Sequence, residues 1–240
     1  MEDRKDVFSL IVSASETDGK LTMSDEELVG NTFFLLFAGH ETMAHIWNAT
    51  IGFLALYEDA QEEAYREVVA VAPGDTPITF SMSTKLEKVL ACFLETGRLF
   101  PPGFVLMRDT TDDVVLTTYD EHRVESKIAL SRGVRVAVDM VGLHYNPRHF
   151  PEPEEYRPSR WYDVPESEHS FYSIGPRACT GRKFANTEAC CFLAHLLREW
   201  RLKIVLRPGE SRQQWRARVL RAKATMTLGV GDVPVQLVRR

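Results

Sequence analysis

Residues 172–185 read Tyr172-Ser173-Ile174-Gly175-Pro176-Arg177-Ala178-Cys179-Thr180-Gly181-Arg182-Lys183-Phe184-Ala185. Gly175 and Gly181 flank a single cysteine, Pro176 stiffens the approach, and an apolar helical pattern starts near Arg182. Glycines permit backbone angles and close approaches that a side chain forbids. The cysteine is thereby placed on a tight loop that feeds a helix N-terminus, where backbone N–H groups and the helix dipole favour a thiolate. Arg177 and Arg182 add positive charge. Such a thiolate can be a nucleophile, a redox thiol or a metal ligand. A phosphatase-type loop needs an arginine six positions on, where Ala185 stands, and a dithiol motif needs a cysteine at 176 or 182. A lone axial thiolate for haem iron fits without strain. The bland reading is a buried cysteine on an ordinary strand-to-helix turn, since free cysteine is mostly inert packing.

Three further words stand upstream. Ser24-Asp25-Glu26-Glu27 is a capping-box signal and predicts a long helix to about Leu56. Its stretch Asn31 to Gly39 is apolar nearly all round, which predicts a helix running through the protein rather than over it. Gly39 costs about 1 kcal/mol there relative to alanine, which close approach of a flat ligand would offset. His40 and His45 are five apart, about 140° around a helix, so they do not share a zinc-binding face. Glu41 and Thr42 can order water and relay protons, although a helical threonine commonly bonds back to the carbonyl four residues earlier. Downstream, a helix from Ser83 or Thr84 to the Pro101-Pro102 break carries Glu95 and Arg98 on one face. Gly97 between them weakens that helix. Finally, Pro153-Glu154-Glu155-Tyr156-Arg157-Pro158-Ser159-Arg160-Trp161 opens an irregular segment that leads to the cysteine loop.

In this order, the four words resemble those of the cytochrome P450 family. The cysteine loop resembles the family's haem-binding pattern, with Tyr172 where phenylalanine is usual and Phe171 beside it. Ala38-Gly39-His40-Glu41-Thr42 resembles the oxygen-activation motif, and Ser159 stands where glutamate is common in the Pro-rich meander. The resemblance runs from near residue 20 to the C-terminus. It implies a mainly α fold with small β-sheets (α+β), the C-terminal portion of the family fold, as one partial domain over residues 1–240 without an N-terminal half.

The site residues follow from the same resemblance. It implies haem b (iron protoporphyrin IX) with Cys179 as the iron's axial ligand. Arg108 and Arg177 would hold the propionates, with Tyr172, Gly181, Ala38 and Gly39 also against the cofactor. Thr42 and Glu41 would deliver protons. Glu95, Arg98 and Arg160 would form a buried structural network. The implied reaction is monooxygenation of a small, mostly apolar substrate with O2, electrons coming from an NADPH-dependent reductase. No phosphate-binding loop for a nucleotide is present. Family members are about twice as long, so the competing reading is a truncated, non-catalytic fragment with weak or no haem binding. A haem-thiolate isomerase or dehydratase is disfavoured by Glu41-Thr42.

Bulk properties agree with a globular chain. It has 240 residues, 44% hydrophobic and 26% charged, with a net charge of −5 that gives no reason to expect nucleic acid. Cys92, Cys179, Cys190 and Cys191 show no disulfide or zinc spacing, so a reducing compartment is the simpler expectation. No signal or membrane-spanning run is read; location at the endoplasmic reticulum is implied only by resemblance, for a full-length form.

The remaining elements are ordinary. Val7 to Val12 is an apolar patch ended by Glu16-Thr17-Asp18-Gly19, and Asp59 to Ala72 is an amphipathic helix. Strands are expected at 104–107, 114–116, 128–130 and 134–138, with Arg132-Gly133 as the hairpin turn. A short helical turn at 141–145 and a helix after Cys179 to Glu199 follow. Then come a strand at 203–206, a charged excursion over 207–223 whose Arg216, Arg218 and Arg221 read as a solvated face or, alternatively, a basic contact surface for an acidic partner, and closing strands over 225–238 with Gly229-Val230-Gly231-Asp232 as turn.

Overall fold

The computed structural model describes residues 6–16, 23–120 and 122–240, with the side chains of 14–16 excepted. Of the first expected break, residues 17–19 lie outside the described residues. The fold is mixed α+β, mainly helical with small sheets.

Helix α1 (Val7–Glu16) precedes α2 (Asp25–Leu56), which at 1.5 Å per residue is about 48 Å long. The start of α2 is fixed by reciprocal bonds. The Glu27 N–H donates to Ser24 Oγ (3.2 Å), and the Ser24 N–H donates to the Glu27 carboxylate (2.9 Å). From Met43 onward α2 buries Ile46, Ala49, Phe53 and Leu54 against its neighbours. Its N-terminal half departs from the expected interior position. Phe33 is 69% and Leu36 70% exposed, with Phe34 open as well. The apolar pattern there is as read, but the elements that pack on α2 cover its later turns, where the burial begins.

Helix α3 (Glu58–Val71) follows α2 through a single residue, Tyr57. Gln61 on α3 is buried and clamps two elements. Its amide donates to the Leu54 and Leu202 carbonyls (2.8 and 2.9 Å) and accepts from the Leu202 N–H (2.8 Å). The next helix is preceded by a 3-10 segment (Phe80–Lys85), so α4 proper is Glu87–Leu99. The α4 turns are almost wholly buried, and Phe53 stacks on Tyr156 of the meander at 4.4 Å between centroids.

Strands β1 (Val105–Asp109) and β4 (Arg135–Asp139) pair antiparallel, as do β2 (Val114–Tyr119) and β3 (Glu125–Leu130). The four therefore form nested two-stranded ladders, a ribbon with its tip at Asp120–Val124. Arg132-Gly133 is not the hairpin turn. Gly133 has φ +84 and its N–H donates to the Thr110 carbonyl (2.8 Å), so it kinks the ribbon between its two ladders. At the tip, Asp120 Oδ1 accepts from the N–H groups of His122 and Val124, a turn held by a side chain.

Helices α5 (Met140–His144) and α6 (Arg182–Glu199) bracket the meander and the cysteine loop. Strand β5 is Trp200–Ile204, earlier than expected, and pairs with β8 (Val235–Arg239). The charged excursion contains helix α7 (Arg212–Val219), capped by Ser211 and Gln214 and anchored by fully buried Trp215 and by Val219. Its arginines are engaged rather than simply solvated. Arg218 grips Glu210 (2.6 and 2.8 Å), Arg212 pairs with Glu58 (2.8 Å), and Arg216 donates to the Glu154 carbonyl. Gly229 and Val230 belong to strand β7 (Leu228–Val230), which pairs with β6 (Ala222–Ala224), instead of to a turn. A Cβ on Gly229 would lie 1.7 Å from the His45 ring, so this glycine serves helix–strand packing. Among the described residues, no helix is long and apolar enough to cross a membrane.

Candidate functional site

The cysteine loop begins in the meander and ends at α6. Residues 170–172 face inward and residues 174–177 face out. Three bonds hold it. Ser170 Oγ meets His144 Nε2 at 2.7 Å, the Tyr172 hydroxyl donates to Asn186 Oδ1 on α6 (2.7 Å), and the Cys179 N–H donates to the Tyr172 carbonyl (2.8 Å). Gly175 takes φ +74, where glycine is required; Gly181 has φ −83, which any residue adopts. Ser173 is left at φ +64. The Cys179 side chain is free and exposed at the start of α6, whereas Cys92 and Cys190 are buried, and burial pushes both of those thiols up to about 12. The loop thus presents one reachable thiol. Tyr172 is buried, so its ring supports the loop from within; burial and the neighbouring cysteines raise its hydroxyl well above the ordinary range.

Arg108 and Arg177 were expected to hold the propionates, and Arg177 and Arg182 to add positive charge near the thiol; Arg182 pairs with Glu166 at 2.9 Å. Arg108 on β1 reaches the loop, its guanidinium 3.5 Å from Ser173 Oγ, and also donates to the Met107 carbonyl. Arg177 is exposed. Both guanidinium groups are exposed.

Glu95, Arg98 and Arg160 are brought together below the loop. Glu95 and Arg98 are fully buried and joined by a bidentate pair (2.8 and 2.9 Å). Arg98 also donates to the carbonyls of His144 (2.9 Å), Pro153 (2.8 Å) and Glu155 (3.2 Å). The Glu95 carboxylate further accepts from Arg160 Nε (3.2 Å), the Arg157 N–H (3.0 Å) and Trp161 Nε1 (2.9 Å). One buried carboxylate thus serves two guanidinium groups, and the remaining Arg98 donors are taken up by carbonyls, the hydrogen bonding that lets a buried ion pair hold its geometry. His144 and Trp161 are members that the sequence did not single out. The ring of His144 is held neutral far into acid, its pKa lowered to about 4 by burial and by Arg98.

On α2, Ala38, Gly39 and Thr42 follow one another around the helix. Thr42 Oγ1 donates to the Ala38 carbonyl (2.7 Å), the local back-bond expected of a helical threonine. Glu41 is half-buried and accepts from Thr227 Oγ1 (3.2 Å) and Thr225 Oγ1 (3.5 Å), tying α2 to the β6–β7 hairpin, with His45 Nε2 3.8 Å away. Nothing lies within 4 Å of where a Gly39 Cβ would stand. Helices α2 and α6 meet through Trp47 stacked on Phe192 (4.8 Å). N-terminal to that junction both carry open apolar residues, Phe33, Phe34 and Leu36 on one and Phe184 on the other.

Residues 1–228 match the sequence model of the family described as Cytochrome P450. The chain belongs to the cytochrome P450 family. Cytochrome P450 monooxygenase 124 of Postia placenta is 37% identical over 245 residues, an alignment covering 100% of this chain and 47% of that one. Human cytochrome P450 3A5 is 28% identical, covering 83% of this chain and 39% of its own length. The crystal structure of a cytochrome P450 (CYP102L1) superposes with a TM-score of 0.79 at 24% identity, over 99% of this chain and 52% of that one. The chain thus spans about half the length of the relatives it matches.

The P450 family implies a haem, and the residues present fit one by their own chemistry. A free exposed thiol offers a soft donor to iron, exposed Arg108 and Arg177 suit carboxylates, and the open Gly39 surface and bare apolar side chains suit a flat apolar ring.

Proposed function

We propose that this chain carries the haem-binding and proton-handling residues of a monooxygenase that inserts one oxygen atom from O2 into a small, mostly apolar substrate. Electrons would come from an NADPH-dependent reductase. The observation that carries the reading is the exposed Cys179 thiol, its backbone pinned to Tyr172 at the entry to α6. Haem b, when bound, supplies activation and transfer of oxygen. The remaining work falls to the protein. Cys179, exposed at the entry to α6, would hold the iron through its sulfur. Arg108 and Arg177 would hold the group through its propionates, while Ala38, Gly39 and Gly181 would let it approach the backbone. Tyr172 holds the loop from inside. Glu41, half-open to water, takes up and passes protons, and Thr42 orders the last water on that path.

A second reading is supported by the exposed Phe33, Phe34 and Leu36 face. In it the chain is a non-catalytic portion of such an enzyme that holds haem weakly or not at all. A membrane location at the endoplasmic reticulum belongs to the same family-based reading.

One experiment separates the readings. The chain is reconstituted with haem and reduced under carbon monoxide beside Cys179→Ser. A strongly red-shifted Soret band that vanishes in the variant supports thiolate ligation. Folded protein without the band leaves the non-catalytic reading.

A further inference from the structure

Gly97 lies in the last turn of α4 with no backbone need for glycine, and it weakens a helix relative to alanine. What excludes a side chain there is a ring. A Cβ on Gly97 would stand 2.8, 2.8 and 2.9 Å from Cε1, Cζ and Cε2 of Phe171, closer than carbon atoms approach. Phe171 also meets Phe93, one turn earlier on α4, edge to face (6.3 Å), and packs on Tyr172 (4.0 Å). Tyr172 in turn accepts from the Cys179 N–H. The chain of contact therefore runs from α4 to the cysteine without a gap. Its α4 end is Gly97, set between Glu95 and Arg98, whose side chains grip the meander.

We propose that Gly97 is a socket for the Phe171 ring, and that this knob registers the Cys179 loop against the helix carrying Glu95 and Arg98. Gly97 and Phe171 are positioning residues. The geometry of the socket stands alone, and its purpose rests on the haem-thiolate reading above. The glycine that weakens α4 and the phenylalanine beside Tyr172 thus become one device. Small at 97 is matched by large at 171.

The test is a cycle of Gly97→Ala, Phe171→Ala and the double variant in the full chain, without added haem. Trypsin cleavage at Arg177 reports opening of the loop. Because cleavage follows the open population when closing is fast, Gly97→Ala should raise the cut at Arg177 by about tenfold. Cleavage at Arg66 in α3 and at Arg198 near the end of α6 should stay near wild type, which uniform loss of stability would not produce. In the Phe171→Ala background, and in Phe171→Leu, where the plug is shorter, Gly97→Ala should add nothing. Cleavage at the wild-type rate in Gly97→Ala, an equal rise at all sites, or an undiminished effect without Phe171 would each overturn the socket. Should Gly97→Ala not fold, recovery of folded protein in the double variant supports the proposal, and failure to recover overturns it. A missing Soret band with this cycle intact would count against the haem reading alone.

Discussion

Arg98 gives the sharpest stability prediction, because its bonding is complete. A guanidinium has five N–H donors, and all five are used: Nε to Glu95, Nη1 to His144 and Pro153, and Nη2 to Glu95 and Glu155. Arg98→Lys keeps the charge and removes the fork. An ammonium has three donors, so at least two of the five bonds disappear inside a region closed to water. At about 1–3 kcal/mol for each buried group left unpaired, the loss is about 4 kcal/mol. In a chain of this length each kcal/mol moves the melting temperature by about 2–4 °C, so the expected drop is about 10 °C. Thermal unfolding followed by tryptophan fluorescence is the assay, with Trp161 bonded to the network as a local reporter. Arg218→Lys is the control: it too loses a bidentate pair, with Glu210, but beside solvent, and should melt close to wild type. A fall of less than about 3 °C for Arg98→Lys would refute the view that the number of donors, rather than charge, matters at this position.

Other expectations follow from the same contacts. His144 binds its proton only near pH 4 when folded but near 6.5 when unfolded, so stability is full above 6.5 and declines as pH falls toward 4. Urea midpoints for His144→Gln should start lower at neutral pH and lose less over that interval; an identical slope would exclude His144 as a source. Gln61→Leu strands two carbonyls and one N–H that join α2, α3 and β5, costing about 3 kcal/mol in urea unfolding. Thr42→Val removes only a bond within its own helix, so melting should be unchanged, while product formed per O2 consumed falls in an active enzyme. Unchanged coupling would remove Thr42 from the proton path.

Where local chemistry decides, the sequence was informative. Ser24 and Glu27 announce the start of α2 because both halves of that cap lie within four residues. Glu95 and Arg98 stand one helical turn apart, so their pairing is local too. Their burial is not, since it depends on the meander carbonyls and on the Trp161 indole, and nothing near residue 95 points to those partners. Helix α7 escaped notice because its arginines outnumber its buried side chains. The signal was present in the Ser211–Gln214 cap and in Trp215 and Val219, four apart. Gly229 looked like a turn residue and is in fact a place for the His45 ring. The Phe33–Leu36 segment was misplaced for a related reason: hydrophobicity states what a helix can bury, and only neighbours determine what it does bury.

The sheets have a consequence for amide exchange. All four among the described residues are two-stranded. In an antiparallel pair each strand turns alternate N–H groups toward its partner and the others away. Along Val114–Tyr119, exchange with deuterium should therefore alternate slow and fast, residue by residue, where a strand flanked on both sides would be slow throughout. A further strand taken up along that edge would turn the fast half slow. The exchange pattern then becomes a ruler, recording which amides have found a neighbour and in what register.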